Sequence, residues 1–240
     1  MNERSGIEVK LCGLRTEHDV AGALLAGADQ LGIVMVPGAR RFVAATWARR
    51  LTHVARRGAQ EAERFPPLLV GVVGRTPPED VAGLVAAVQV DAVQIVGDET
   101  YAEDVYVQVD GVPVIRAIGV PDGVDADQVA ELDALARRWE ARGARVLFDA
   151  VVPGAELGGS GARIQAALLH ELFSSGTRGL AGGLDPTNVA DAIQTVRPAL
   201  VDVSSGIENA DGMKDPERMR AFVAAAHAAR LTSVPEPSND

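Results

Sequence analysis

A single thiol, Cys12, ends the apolar run IEVKLC, immediately before Gly13. A carboxylate, Asp149, ends a second such run, ARVLFDA. A thiolate that takes a proton and a carboxylic acid that gives one form a base–acid pair, provided the chain brings both to one cavity. Each also has a plainer reading. Cys12 packs equally well as a small buried hydrophobe, and Asp149 as a cap on the loop or helix that follows. Two further stretches, AGGLDP and SSGIE, place Gly182, Gly183, Ser204, Ser205 and Gly206 after an apolar run and before a helix or turn. Exposed backbone N–H groups there would cradle a phosphate, helped by helix dipoles. The plainer reading is a pair of tight turns.

The elements that must position these groups are legible as alternation. Eight β-branched runs recur: IEVKLC, QLGIVMV, LLVGVV, DAVQIV, VPVIRAI, ARVLFDA, RGLAGG and LVDVSS. Most are followed by an Ala-rich amphipathic stretch, such as TEHDVAGALLAGA, AATWARRLTHVARRG, TPPEDVAGLVAAVQ, DADQVAELDALARRWEARG, DPTNVADAIQTV and DPERMRAFVAAAHAA. Thr16, Thr76 and Asp215 are plausible caps, with Pro77, Pro186 and Pro216 near first-turn positions. Eight strand-then-helix units with short connections predict an α/β fold closed as a (β/α)8 TIM barrel. One unit fits badly: in TYAEDVYVQVDG the alternation of Val105, Val107 and Val109 has strand periodicity where the fourth helix belongs. It reads either as a short helix or as an extended insertion. The barrel is expected over residues 1–231 as one domain, with residues 232–240 a flexible tail.

Chemistry in such a barrel gathers at the C-terminal ends of the strands. That rim collects Cys12 from strand one, the PGARRF stretch after strand two, Gln94 from strand four, Asp149 from strand six and the two glycine–serine loops. Lys10, two residues before Cys12, shares its barrel face. It reads either as an activator of the thiol or, set deeper, as the partner of an acid such as Asp202.

Composition narrows the function classes. The chain has 240 residues, a net charge of −10 and one cysteine. The acidic balance argues against nucleic-acid or anionic-membrane partners, and one cysteine excludes an internal disulfide and a cysteine-based metal site. No apolar signal core or membrane-length run is present, so a cytoplasmic protein is expected. His18, His53, His170 and His227 show no ligand spacing, and GVVGRT lacks the Gly-Lys-Ser/Thr ending of a phosphate-binding P-loop. No metal is expected.

At this point the motifs carry a resemblance. VKLCGLRTEHD, GADQLGIVMVPGARRFV, VQIVGDE, VLFDAVVPGAELGGSG, LAGGLDPTNVADAI and VDVSSGIENADGMKDPERMRAFV resemble, in order and over nearly the whole chain, the phosphoribosylanthranilate isomerase family. The resemblance implies that Cys12 is a general base, Asp149 a general acid and Arg41 the arginine facing the anthranilate carboxylate, a planar group suited to paired hydrogen bonds. It places Gly182, Gly183, Ser205 and Gly206 in the phosphate loops, with Ser204 and Gln94 beside the substrate.

The implied reaction is an Amadori rearrangement of a phosphorylated sugar-amine. Asp149 would protonate the furanose oxygen and open the ring to an iminium. Cys12 as thiolate would then take the C2′ proton, and the enolamine would collapse to the amino-ketose. The iminium is the electron sink, so no cofactor is implied. The expected assembly is a monomer or homodimer. Three departures stand out: Val96 where the family usually has histidine, Val72-Val73-Gly74-Arg75 where it has an aromatic and then asparagine, and Ala162 to Ala166 after GGSG. They keep open a paralogue acting on another phosphorylated sugar-amine, and a non-catalytic barrel that binds a phosphosugar or a partner.

Overall fold

The computed structural model describes residues 6–121, 123–149 and 169–229. The tail at 232–240 and the Ala162–Ala166 departure lie outside them. Eight parallel strands close on themselves in chain order: β1 Glu8–Cys12, β2 Gln30–Val34, β3 Leu68–Val73, β4 Ala92–Ile95, β5 Val114–Gly119, β6 Arg145–Asp149, β7 Gly179–Ala181 and β8 Leu200–Val203. Seven helices described from end to end follow strands: α1 Glu17–Ala26, α2 Ala45–Glu61, α3 Pro78–Val88, α4 Glu99–Gln108, α5 Ala126–Glu140, α6 Val189–Val196 and α7 Pro216–Ala229; residues 169–172, ahead of β7, are helical as well. The expected (β/α)8 barrel is what the chain forms.

The alternation of a strand decides which side chains enter the barrel. Along β1 these are Glu8, Lys10 and Cys12; along β6, Arg145, Leu147 and Asp149. At the N-terminal end, Arg145 and Gln30 bind Glu8. Above them lies an apolar plug of Val70, Ala92, Ile115, Leu147 and Leu200, with Leu68 and Ala181 against it. The next layer up is polar, and it is the site described below. A separate, larger core joins the outer faces of the strands to the helices, with Trp139, Phe148 and Phe222 fully buried in it.

Helix ends follow local chemistry. Thr16 caps α1, accepting from the Asp19 N–H, and Asp19 reaches back in a capping box. Asp215 accepts from the N–H groups of Glu217 and Arg218 at the start of α7. Thr76 does not cap α3: that place is taken by Pro77, with no side-chain cap bond. Asp185 caps a turn ahead of α6, accepting from Thr187 and Asn188, so α6 itself starts three residues past Pro186.

The fourth unit is helical, not extended. Ala102, Val105 and Val109 are buried at helical spacing while Val107 is 68% exposed. The apparent alternation is thus two inward valines one turn apart with a solvent-facing valine between them. Asp98 caps the helix. Glu99 then ties its first turn to the barrel through Arg116 of β5 and to α5 through Arg138 and Trp139. None of these long-range partners is readable from a local window.

Candidate active site

Cys12 stands at the top of β1, 7% exposed, packed against Val36 and Val72 with Val34, Ala39 and Val96 around them. Its register partner on β2 is Gly32. A Cβ at position 32 would lie 2.6 Å from the Cys12 sulfur, so a glycine there makes the room that the thiol occupies. Beneath the thiol, Lys10 is opposite Asp202 across the β1–β8 closure, and its Nζ donates to Asp202 Oδ2 at 2.7 Å. Of the two readings of Lys10, the structure has the pair with Asp202; the Lys10 charge also reaches Cys12.

The electrostatics of this group are coupled. Burial pushes the Cys12 thiol up, opposed by Lys10 and Lys214 and reinforced by Asp202. Burial alone would lower Lys10, but the charges of Asp202 and Cys12 outweigh it and hold its ammonium above the ordinary range. Asp149 ends β6 at the same rim and opens into the mouth. Over a third of it meets solvent, yet the surrounding walls push its carboxyl up, and the Asp202 carboxylate pushes it further. Asp202 thus acts electrostatically on both Cys12 and Asp149. Its Oδ1 is buried without a hydrogen-bond partner among the described residues.

The loops after β7 and β8 touch each other. Gly182 and Gly183 have φ of +103° and +60°, and neither N–H has an acceptor among the described residues. Gly206 lies in the 3₁₀ turn Ser205–Ile207. A Cβ on it would meet the Leu184 carbonyl oxygen at 1.9 Å, so no larger residue fits the junction. Asn188 Nδ2 braces the Gly183 carbonyl, and Arg218 of α7 holds that of Gly206. Ser204 and Ser205 are exposed beside them. Two adjacent loops rich in free N–H groups can hold an anion.

Gln94 is inward on β4, opposite Val72, with its Oε1 buried and unpartnered among the described residues. Arg41 follows β2 and is 5% exposed. Its Nε donates to Glu208 Oε1 at 2.9 Å, its Nη1 to the Gly13 carbonyl at 3.3 Å and its Nη2 to the Gly212 carbonyl at 2.5 Å. Nη2 also lies 2.6 Å from Glu208. The guanidinium is fixed at the rim, with three of its five N–H groups donating hydrogen bonds. Across the mouth, a cavity of about 670 Å³ is lined by Val36, Ala39, Val96, Arg75 and Tyr101 among others. It shares Val36, Ala39 and Val96 with the wall around Cys12. Arg75 sits on left-handed backbone, φ +61°, and has no ion-pair partner among the described residues.

Sequence reasoning passed over Lys214 and Glu208. Both lie inside the VDVSSGIENADGMKDPERMRAFV stretch, and the signal was a lysine and a glutamate in the loop after a barrel strand. Lys214 is buried, donates to the Ser204 carbonyl at 2.7 Å and stands 3.6 Å from Glu208. Burial and the Arg41 charge pull its ammonium down to about 8, against Cys12 and Glu208. Glu208 is held below its ordinary value: Arg40, Arg41 and Lys214 outweigh the cost of its burial.

The chain is similar to known proteins over most of its length. The family model of N-(5'phosphoribosyl)anthranilate (PRA) isomerase matches residues 9–225. An N-(5'-phosphoribosyl)anthranilate isomerase from Bordetella petrii is 38% identical, over 92% of this chain and 95% of its own. The crystal structure of phosphoribosyl anthranilate isomerase from Thermotoga maritima superposes with a TM-score of 0.71 at 32% identity, covering 92% of this chain and 99% of that one. Another crystal structure, of a phosphoribosyl anthranilate isomerase in complex with reduced 1-(o-carboxyphenylamino)-1-deoxyribulose 5-phosphate, gives 0.67 at 27% identity, covering 92% and 99%. The chain belongs to the N-(5'-phosphoribosyl)anthranilate isomerase family.

Proposed function

We propose that this chain catalyses the isomerisation of N-(5'-phosphoribosyl)anthranilate to 1-(2-carboxyphenylamino)-1-deoxyribulose 5-phosphate in tryptophan biosynthesis, with Cys12 as general base and Asp149 as general acid. The observation that carries the reading is that both groups enter one barrel mouth, each within the field of Asp202. The raised Asp149 carboxyl suits an acid, since a proton donor must still hold its proton near working pH. Asp149 gives that proton to the furanose oxygen as the C1′–O bond breaks, leaving an iminium. The Cys12 thiolate then takes the C2′ proton, and the C–H electron pair moves into the new C1′–C2′ double bond and neutralises the iminium. Tautomerisation of the enolamine gives the ketone.

The rest of the mouth fits that substrate. The phosphate lies against Gly182, Gly183, Ser205 and Gly206, with Ser204 and Gln94 along the sugar. The aryl ring enters the apolar cavity of Val36, Ala39 and Val96. Its carboxylate is met by guanidinium groups at the rim, Arg41 through its remaining N–H groups and Arg75 from the cavity wall. The protein works in the cytoplasm as a monomer or homodimer. Growth of a tryptophan auxotroph that lacks this isomerase tests the reading. Rescue by the wild-type chain, lost with Cys12→Ser, is expected. Failure to rescue by folded, expressed protein would contradict it.

A further inference from the structure

Three buried cations gather behind the Cys12 thiol: Lys10, Arg41 and Lys214. Two carboxylates face them, Asp202 and Glu208. Asp202 is taken by Lys10 at 2.7 Å. Glu208 is taken by Arg41 at 2.6 Å and by the exposed Arg40 at 2.9 Å. Lys214, whose side chain is 0% exposed, reaches Glu208 only at 3.6 Å. Its close contacts are neutral: the Ser204 carbonyl at 2.7 Å and the Ser204 hydroxyl at 3.4 Å. That hydroxyl packs on Gly13, the residue after Cys12, where a Cβ would meet it at 2.9 Å. A buried ammonium without its own anion is costly. One negative charge is missing from this cluster, and the titratable group that both Lys10 and Lys214 act on, and that stands in no ion pair of its own, is the Cys12 sulfur.

We propose that Lys214 is a positioning residue that supplies the counter-charge of the Cys12 thiolate, so that the base forms as a buried ion pair with Lys214 while Lys10 neutralises Asp202 below. The division of labour is electrostatic. Without Lys10, Asp202 would repel the thiolate. Lys10 acts on the thiolate too, but the Asp202 carboxylate beside it offsets that charge, so a second cation is needed for the thiolate itself. The mutual influence of Cys12 and Lys214 runs in the sense this requires, each favouring the charged form of the other. The charged groups facing the pair are Lys10, Arg41, Asp202 and Glu208.

The catalytic consequence rests on Cys12 being the base, but the test does not. Cys12 is the sole thiol of the chain, so its alkylation by iodoacetamide reads one site without substrate. The rate is measured against pH for wild type, Lys214→Met and Lys214→Arg. Loss of the charge is expected to move the alkylation midpoint up by about one pH unit or more, which is about tenfold slower reaction at neutral pH. Lys214→Arg stays near wild type. Lys214→Gln, which keeps a donor towards Ser204, gives the same readout if the Met variant does not fold. A purely structural role would lower Tm and leave the midpoint in place. Profiles of folded Lys214→Met or Lys214→Gln that superimpose on wild type overturn the proposal. A midpoint shift in a protein without isomerase activity would sink the assignment of the base and leave the ion pair standing.

Discussion

Lys10 and Asp202 face each other across the strand pair that closes the barrel, Nζ to Oδ2 at 2.7 Å, one inward position below Cys12. The pair has almost no solvent contact, so its two members depend on each other. Lys10→Met leaves a buried carboxylate unpaired and is expected to cost about 3–5 kcal/mol. The double replacement Lys10→Met with Asp202→Leu should recover much of that loss, because an apolar pair of similar volume needs no desolvation. Urea melts of the single and double variants check it. A double variant as unstable as the single one would show that the pair is not the source of the loss.

Gly32 is expected to be intolerant of the smallest enlargement. Gly32→Ala sets a methyl group 2.6 Å from where the Cys12 sulfur stands. Overpacking of this kind costs about 1–3 kcal/mol. The sulfur must also move, and a displacement near 1 Å at the reacting group costs about 10²-fold in rate. Steady-state kinetics should show the loss in kcat, with KM held by the distant phosphate loops. An unchanged kcat would mean that the thiol position is not critical.

Much of this arrangement was legible in the sequence, and the limits are physical. The strands announced themselves because parallel barrel strands are apolar on both faces, and their C-terminal ends located Cys12, Asp149, Gln94 and both glycine–serine loops. Helix four was obscured because Val107 is an apolar residue turned to solvent, which disguised a helical stripe as alternation. The Lys10–Asp202 pair was readable only as one of two options, since a separation of 192 residues is bridged by barrel closure and by nothing local. Lys214 went unread for a similar reason. A lysine in a polar loop looks solvated until the fold buries it under Ser204 and Glu208.

Asp149 should trade stability for function. Its folded-state carboxyl is raised, so folding favours the protonated form. The stabilising contribution is complete at pH below its unfolded value and is lost as pH rises through the raised folded value. At neutral pH the ionised group opposes folding. Asp149→Asn is therefore expected to raise Tm at neutral pH, with the advantage vanishing in acid. The same variant should lose about 10²–10⁴-fold in turnover. A Tm difference that grows on acidification would reverse the sign and contradict the environment assigned to Asp149.

The cap at the first helix makes a simpler claim. Thr16 and Asp19 satisfy each other's backbone donors at the start of α1, four residues past Cys12 in the chain. Thr16→Ala is expected to cost about 1 kcal/mol and to leave kcat unchanged, because the β1 register that sets Cys12 is fixed by β2 and β8. Thermal unfolding alongside an activity assay separates the two. A large loss of kcat would mean that the helix start positions the thiol.

The central claim is that the Cys12 sulfur removes the C2′ proton of the phosphorylated sugar-amine. Single-turnover rates on N-(5'-phosphoribosyl)anthranilate carrying deuterium at C2′ test it most directly, comparing wild type with Cys12→Ser. Wild type is expected to show a primary isotope effect on ketose formation, and Cys12→Ser to bind the substrate yet form product at least about 10²-fold more slowly. A serine variant that converts the labelled substrate at the wild-type rate would contradict the account.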